Sequence, residues 1–319
     1  MPRPHAPRTR VSTYLSEWMF TGDVTRQSVA GYFGGGYDGT NYLSGIDKIA
    51  FPLDTKTTLS ATLTTGKSNI AAMANSGVAG YFGGGNDASN YYSGIDKITF
   101  PADTKTTLSA TLSSARAYPA GMANSAVAGY FGGGYTGAGY VSGIDKITFP
   151  ADTKSTLSAT ITTGRLTLAG MADSGVAGYF GGGNDGARQS NIDKITFPAD
   201  TKTTLTATLT VARDDLAAMA DSGVAGYFGG GSPTTSSIDK ITFPADTKST
   251  LSATLSTARY SLAGMASTGV AGYFGGGKDS VTLDGIDKIS FPADTKSTLA
   301  ATLTTVKQNL AGMADCGVF

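Results

Sequence analysis

An internal repeat constrains the fold of this chain more than any other feature of the sequence. The six-residue sequence Gly-Tyr-Phe-Gly-Gly-Gly occurs six times in the 319 residues. Its copies begin at Gly31, Gly80, Gly129, Gly178, Gly226 and Gly272. A period of 46 to 49 residues is typical of solenoids, propellers and other repeat arrays. The chain is therefore six copies of one unit rather than the two domains that its length alone would suggest.

Each unit contains short segments that favour strands over helices. Tyr-Phe is followed by glycines, and Ile-Asp-Lys-Ile-x-Phe is rich in β-branched residues and ends at a proline such as Pro101. A Leu-x-Ala-Thr segment and a small-residue segment around a Met complete the set of four expected strands. Phe-Pro-Ala-Asp-Thr is predicted as a turn, and Asp-Ser-Gly as a tight hairpin. Four strands per unit make one propeller blade, so we expect an all-β, six-bladed β-propeller with four-stranded blades.

The ends of the chain favour closure of this ring. The last ten residues, Leu310 to Phe319, repeat the small-residue segment that precedes each Gly-Tyr-Phe. The N-terminal side enters the first unit at Ser28 with no such segment before it. We therefore expect the C-terminal strand to be the innermost strand of the first blade, in a propeller domain spanning residues 25–319.

Composition argues against most kinds of active site. The chain has one histidine (His5), one glutamate (Glu17) and one cysteine (Cys316). Catalytic triads, cysteine–histidine pairs, histidine–metal clusters and glutamate acid–base pairs therefore lack their components. Lys plus Arg equals Asp plus Glu at 24 each, which argues against nucleic-acid binding, and no apolar run approaches the length of a membrane span. We expect no enzyme activity, no metal and no cofactor.

The order of segments resembles that of kelch β-propellers. A basic residue, Arg165, is followed by a strand at Leu168–Ala172, by Tyr179-Phe180 with three glycines, and by Ile192–Phe197. The resemblance covers about residues 28–319 and implies the propeller fold. Phe stands where these repeats carry a Tyr, and Leu or Thr stands at the position of their outer Trp. The near-identical sequences of the units also resemble those of structural repeat proteins of tailed phages. This resemblance implies a virion component.

Sequence variation is concentrated in two sets of loops, which an up-and-down blade places on the same face. Eight of the 15 tyrosines lie in these loops, outside the repeated motif. Six of the eight fall in the first three Gly-Gly-Gly to Ile-Asp-Lys loops: Tyr37, Tyr42, Tyr91, Tyr92, Tyr135 and Tyr140. Tyr mixed with Ser, Gly and Asn is the composition of antibody loops. These six are candidate ligand contacts on one footprint over the first three blades; the alternative is loops that merely drift in sequence.

Three repeated positions have a structural and a functional interpretation. The loop before each small-residue strand carries a basic residue, which either supports the loop or contacts a ligand. The arginines at this position, candidate ligand contacts, are Arg116, Arg165, Arg213 and Arg259. The Asp of each Ile-Asp-Lys could form a carboxylate ring, but a strand-edge hydrogen bond is favoured. The six repeated Met residues could line a channel, but packing of the inner strand is favoured.

Residues 1–24 differ from the repeats. Prolines and arginines form an extended basic arm, and then Val11 and three further apolar residues fall on one face of a short predicted helix. The candidate attachment residues are Leu15, Trp18, Met19 and Phe20. This segment either packs on its own propeller or anchors the protein to a partner.

These observations predict a non-enzymatic structural or recognition module. The first hypothesis is a phage virion component, such as a fibre, tail or decoration protein, which presents its loop face to a host glycan or protein. The alternative is a cellular kelch-type interaction protein or lectin-like adhesin, in the cytoplasm or at the cell surface. An oxidase or sialidase built on a propeller is a third and weaker candidate.

Overall fold

The structure, a computed structural model, describes residues 30–315, which form a ring of six four-stranded antiparallel sheets. The first blade contains β1 (Ala30–Gly34), β2 (Ile46–Ala50) and β3 (Thr55–Thr58). The second contains β4 (Ala71–Asn75), β5 (Ala79–Gly83), β6 (Ile95–Thr99) and β7 (Thr104–Thr107). The third contains β8 (Ala120–Asn124), β9 (Ala128–Gly132), β10 (Ile144–Thr148) and β11 (Thr153–Thr156).

The other three blades repeat this arrangement. The fourth contains β12 (Ala169–Asp173), β13 (Ala177–Gly181), β14 (Ile192–Thr196) and β15 (Thr201–Thr204). The fifth contains β16 (Ala217–Asp221), β17 (Ala225–Gly229), β18 (Ile238–Thr242) and β19 (Thr247–Thr250). The sixth contains β20 (Ala263–Ser267), β21 (Ala271–Gly275), β22 (Ile286–Ser290) and β23 (Thr295–Thr298), and β24 (Ala311–Ala314) follows it. The all-β, six-bladed propeller is thus confirmed, and residues 30–315 hold no helix that could cross a membrane.

Closure of the ring by the C-terminal strand is also confirmed. The strand β24 pairs antiparallel with β1, and the strand order of the first blade is β24-β1-β2-β3. Asp315 accepts a hydrogen bond from the backbone amide of Gly77 in the second blade. The first blade is therefore built from both ends of the described chain, and the ring has a non-covalent seam inside one sheet.

The outermost strand differs from the one that the sequence predicted. It is the Thr-Lys-Thr-Thr segment after the turn, and the Leu-x-Ala-Thr segment is a loop. In the first blade Asp54 adopts a left-handed conformation, with φ 55°, which completes the turn so that Thr55 pairs at once with Ala50. Leu59 donates the last backbone bond to this sheet, at 2.9 Å, and Leu63 is buried where the chain leaves for the next blade. Leu63 thus anchors a loop in the core. The alternation of apolar and polar residues in the sequence does not reveal this role.

Adjacent blades pack through the repeated Met, Phe and Gly residues. The Met of each innermost strand lies against the first Gly of Gly-Tyr-Phe in the next blade, where an added Cβ would lie 2.0–2.2 Å from the sulfur. The fourth residue of the motif is a Gly because the Phe ring of the next blade approaches it: a Cβ there would lie 2.5–2.7 Å from the ring. The interpretation of the Met residues as packing residues is therefore confirmed. Because these glycines admit the neighbouring side chains, the hydrophobic core lies between blades as well as within them.

A polar clamp also joins each blade to the next. Tyr32 of the first blade stacks on Phe100 of the second, with ring centroids 5.0 Å apart, and its hydroxyl donates to Asp103 Oδ1 at 2.9 Å. Lys48 donates to the other oxygen of Asp103 at 2.7 Å. The equivalent Tyr, Lys and Asp sets are Tyr81, Lys97 and Asp152; Tyr130, Lys146 and Asp200; Tyr179, Lys194 and Asp246; Tyr227, Lys240 and Asp294; and Tyr273, Lys288 and Asp54. The turn Asp therefore bonds the neighbouring blade, and the last set returns to the first blade.

Candidate functional site

The variable loops of all six blades meet on one face of the ring, here called the loop face. It carries the loops between the second and third strands of each blade and the loops that lead from one blade to the next. The two sets bond each other: Gly36 N donates to Lys67 O at 3.0 Å, and Tyr37 N donates to Gln308 O at 2.9 Å. Loops from neighbouring repeats therefore support one another, and together they form a continuous surface.

Three of the predicted tyrosines form an aromatic cluster on this face. Tyr135 contacts Tyr140 at a centroid distance of 5.6 Å and Tyr91 of the preceding blade edge-on at 6.2 Å. Tyr91 and Tyr140 are 37% and 44% exposed, which makes them the two most exposed aromatic side chains among residues 30–315. Exposed, clustered aromatic rings provide contact area with little loss of side-chain entropy on binding. This cluster, Tyr91–Tyr135–Tyr140, is the best-defined candidate contact surface.

Tyr37 and Tyr42 form a separate pair in the first blade. Their ring centroids lie 5.0 Å apart, and the Tyr37 hydroxyl donates to Gly39 O at 2.8 Å. Both side chains are partly exposed. The structure thus places five of the six predicted tyrosines in two groups on the face of the first three blades.

Tyr92 has a different environment from the other five. Its hydroxyl donates to the carboxylate of Asp87 in its own loop, and the ammonium of Lys67 lies 5.8 Å from its ring centroid. The hydrogen bond from Tyr92 is the main reason that the pKa of Asp87 falls to about 2. These contacts shape the loop, so Tyr92 supports the surface on which Tyr91 is exposed.

The four candidate arginines are buried, and their contacts are those of residues that support the loops. Each has at most 2% of its side chain exposed, and each guanidinium pairs with the Asp of Ile-Asp-Lys in the next blade. Arg165, for example, donates to Asp193 at 3.0 Å and to the carbonyl of Phe180 at 3.3 Å. A charged pair of this kind fixes the connecting loop at its base.

The carboxylates of these pairs receive further hydrogen bonds from the same loops. Burial by itself would raise the pKa of Asp193, but hydrogen bonds from Thr162 and Thr204 and the charge of Arg165 hold it below its usual value. The backbone amide of Thr162 donates to Oδ2 at 2.9 Å. These aspartates therefore bond loops to strands, as the favoured interpretation required, and the structure gives each of them partners inside the protein.

In the last three blades the loops between the second and third strands carry no tyrosine, and those of the fourth and sixth blades carry charged residues. Arg188, 46% exposed on its side chain, pairs with Asp214 at 3.0 Å and donates to Ser232 Oγ at 2.8 Å. Asn184 donates to the other oxygen of Asp214 at 2.9 Å. The sequence reasoning missed this group because its members lie in two different loops. The loop face thus carries the tyrosine groups over the first three blades and this charged group over the fourth and fifth.

A polar ring at the propeller axis was also missed. Two positions after the basic residue, each connecting loop places one residue beside the axis: Asn69, Tyr118, Thr167, Asp215, Ser261 and Asn309. In the sequence this position carries a polar residue in every unit, but the type of residue differs between nearly all of the units. The candidate attachment residues Leu15, Trp18, Met19 and Phe20, and the predicted boundary between residues 24 and 25, lie outside the described residues.

The fold and this face define a six-bladed β-propeller with the architecture of an interaction or recognition module. No family model matches the sequence, and no curated protein matches it. The class of protein therefore rests on the repeats, the ring and the loop face described above.

Proposed function

We propose that the protein is a non-enzymatic recognition module that binds its partner through the aromatic side of the loop face. The observation that carries the proposal is the exposed cluster Tyr91–Tyr135–Tyr140. In a ring whose other tyrosines are nearly all buried or bonded, surface aromatic area that folding does not require marks a contact site. The Tyr37–Tyr42 pair extends this surface over the first blade.

The state of the charged residues supports a binding role over a catalytic one. The aspartates repeated in every blade each accept hydrogen bonds from neighbouring loops or blades, as Asp103 and Asp193 do. Their lysine and arginine partners are held in the same contacts. Groups engaged in this way stabilise the ring and are poorly placed to exchange protons with a substrate.

We further propose a kelch-like propeller that serves as a phage virion component, such as a fibre, tail or decoration protein. This proposal rests on two resemblances. The repeat sequences resemble those of tailed-phage repeat proteins, and the order of segments resembles that of kelch repeats. In that setting the N-terminal arm attaches the protein and the loop face meets a host glycan or protein. The alternative is a cellular interaction protein or lectin-like adhesin that uses the same face, and the identity of the neighbouring genes separates the two.

The binding proposal is tested on the intact chain with Tyr91→Ala and Tyr140→Ala, against glycan arrays and whole host cells. Each variant should weaken binding by about 1–3 kcal/mol while the urea midpoint stays unchanged, because both rings are partly exposed. The matched control is Thr234→Ala, in the short loop of the fifth blade. If Thr234→Ala weakens binding as much as the tyrosine variants do, the recognition surface is not confined to the aromatic side.

The attachment proposal has its own experiment. A chain that lacks residues 1–24 should still fold as the ring, because the described blades begin at Ala30, but should no longer join its particle. Incorporation is measured by co-sedimentation, and the ring by circular dichroism. Normal incorporation of the shortened chain would refute a role for the arm.

A further inference from the structure

A small polar cavity lies on the axis of the ring, on the loop face. It has a volume of about 80 Å³ and is lined by the six axial residues and by the apolar residue that follows each of them. The axial residues are Asn69, Tyr118, Thr167, Asp215, Ser261 and Asn309. In a ring built from near-identical units, this is the position at which six polar side chains converge. A cavity of this size accommodates a few atoms of a ligand rather than a whole sugar ring.

The backbone of the six loops fixes these side chains around the cavity. All six residues are left-handed, with φ between 53° and 59°. Tyr118 N donates to Asn69 O at 2.7 Å, Ser261 N to Asp215 O at 2.7 Å, and Asn309 N to Ser261 O at 2.8 Å. Five bonds of this kind join consecutive loops around the axis, and only the step between Tyr118 and Thr167 has none among the described residues. The polar atoms that can meet a ligand are therefore mainly those of the side chains.

Two lining side chains, Asn69 and Asp215, offer acceptor atoms, and the Asn69 side chain also bonds the Tyr118 hydroxyl. Asn69 is 8% exposed, its Nδ2 donates to Asn86 Oδ1 at 2.6 Å, and its Oδ1 has no hydrogen-bond partner among the described residues. The Asp215 carboxylate is bonded by Ser261. A buried acceptor without a donor is unfavourable, and a ligand that supplies donors removes that cost.

The electrostatic surroundings of Asp215 make it receptive to a cation. Burial raises its pKa to about 7, and the neighbouring Asp214 adds to the shift, while Arg188 and the bond from Ser261 oppose it. Tyr118, whose pKa burial raises, faces Asp215 as a neutral hydroxyl. Arg188 is already paired with Asp214, so the Asp215 carboxylate has no cation of its own among the described residues.

From the cavity, its unpartnered acceptor and its carboxylate, we propose that the axial pocket binds the primary ammonium group of a ligand. An ammonium carries three donors and one positive charge in the volume of a few atoms, which fits both the size and the acceptors of the pocket. A lysine side chain and an amino sugar both present this group. The proposal rests on the proposed recognition function only for the origin of that ligand.

The pocket adjoins the aromatic side of the loop face. Tyr118 interacts electrostatically with both Tyr42 and Tyr91, so its hydroxyl lies near the two tyrosine groups of the first blades. A ligand that places its ammonium on the axis can therefore rest the remainder of its surface on these rings.

The test uses ethylammonium chloride as the probe and the amide chemical shifts of the intact protein as the measurement, with sodium chloride at equal ionic strength as the reference. Saturable shifts should appear at the axial residues, and Asp215→Asn should weaken binding by about tenfold or more, since the charge is removed while Asn tolerates the left-handed backbone. Asp284→Asn, a loop carboxylate outside the lining, is the matched control and should leave binding unchanged. Acetylated lysine methylamide and glucosamine then distinguish the two sources.

The pH dependence gives a second measurement. Asp215 loses its charge as the pH falls through about 7, whereas the amine stays protonated, so affinity should fall by about tenfold or more between about pH 8 and pH 5.5. Three results would overturn the proposal: absence of axial shifts, equal binding of ethanol, or binding that Asp215→Asn does not change. None of them depends on the natural partner, so failure here is distinguishable from failure of the tyrosine variants.

Discussion

Closure of the ring by β24 can be tested by replacing equivalent Met residues in two blades, one at the seam and one away from it. Met313 lies in the C-terminal strand β24, and Met122 is its equivalent in β8, inside a continuous stretch of chain. Their sulfurs lie 2.2 and 2.1 Å from where a Cβ on Gly80 or Gly178 of the next blade would be. Both are 3–4% exposed. The two sites therefore match in burial and in contacts and differ only in how their strand is connected.

The expected cost of each substitution follows from this packing. Met→Ala at a buried site removes about 2–5 kcal/mol of stability, through lost transfer energy and the cavity that remains. If β24 closes the ring as firmly as a covalently continuous strand, Met313→Ala and Met122→Ala cost the same. Urea unfolding followed by tyrosine fluorescence and by circular dichroism gives both values.

A seam that opens in solution gives a different result. Met313→Ala would then leave the urea midpoint near that of the unmodified protein while Met122→Ala lowers it, and this pair of outcomes would refute closure by β24. Deletion of residues 310–319 provides a second measurement. It removes the buried side chains of Leu310 and Met313, worth together about 3–6 kcal/mol, so an unchanged midpoint after the deletion would refute closure as well.

Three further predictions concern stability. Ala126→Gly should raise stability by about 1 kcal/mol in urea unfolding, because Ala126 has φ 63° at a hairpin position where other blades carry Gly. Arg165→Met should cost about 3–5 kcal/mol by leaving the Asp193 charge buried without its partner, whereas Arg165→Lys should cost less, since Lys307 bonds Asp47 at 2.8 Å in the same position; equal losses would contradict this. The Asp residues of Ile-Asp-Lys whose pKa is lowered in the folded protein contribute stability that is fully present above the unfolded pKa of about 3.9. This stability is lost as the pH falls through the lower folded pKa, so the urea midpoint should drop steeply towards about pH 3. These residues are Asp47, Asp96, Asp145, Asp193 and Asp239.

The blade could be predicted from the sequence because its information is local. Gly-Tyr-Phe and Ile-Asp-Lys-Ile carry strand propensity within a few residues, and the glycines and prolines mark their ends. The outer strand could not be assigned in this way. Residues 55–58 are polar on both faces of the sheet and so give no alternating pattern. The strand forms because Asp54 completes the turn and the following residues pair with Ile49 and Ala50 of β2. Leu63 looks like a strand residue, yet it anchors a loop whose path depends on the next blade.

The candidate site was predicted only as far as residue type allowed. The sequence placed the tyrosines on one face, but exposure separates Tyr91 and Tyr140 from Tyr92, whose partner Asp87 lies five residues away in the same loop. It also left the role of Arg165 open, because its partner Asp193 lies in the following blade. The axial ring required the full circle, since its members are separated by about one whole repeat.

The contacts between blades explain why variation is confined to the loop face. A larger residue at Gly80 of the Gly-Tyr-Phe motif would require a compensating change at Met313 in another repeat. A Cβ at Gly80 would lie 2.2 Å from the Met313 sulfur. A change at Tyr140, by contrast, affects a side chain that is 44% exposed and packs on Tyr135. The exposed positions of the twelve loops can therefore diverge at little cost in stability, while their buried anchors such as Arg165 stay fixed, and six of the loops converge on a single axis. A partner that contacts both the axis and one side of the face will find one orientation favoured, although the scaffold beneath it repeats six times.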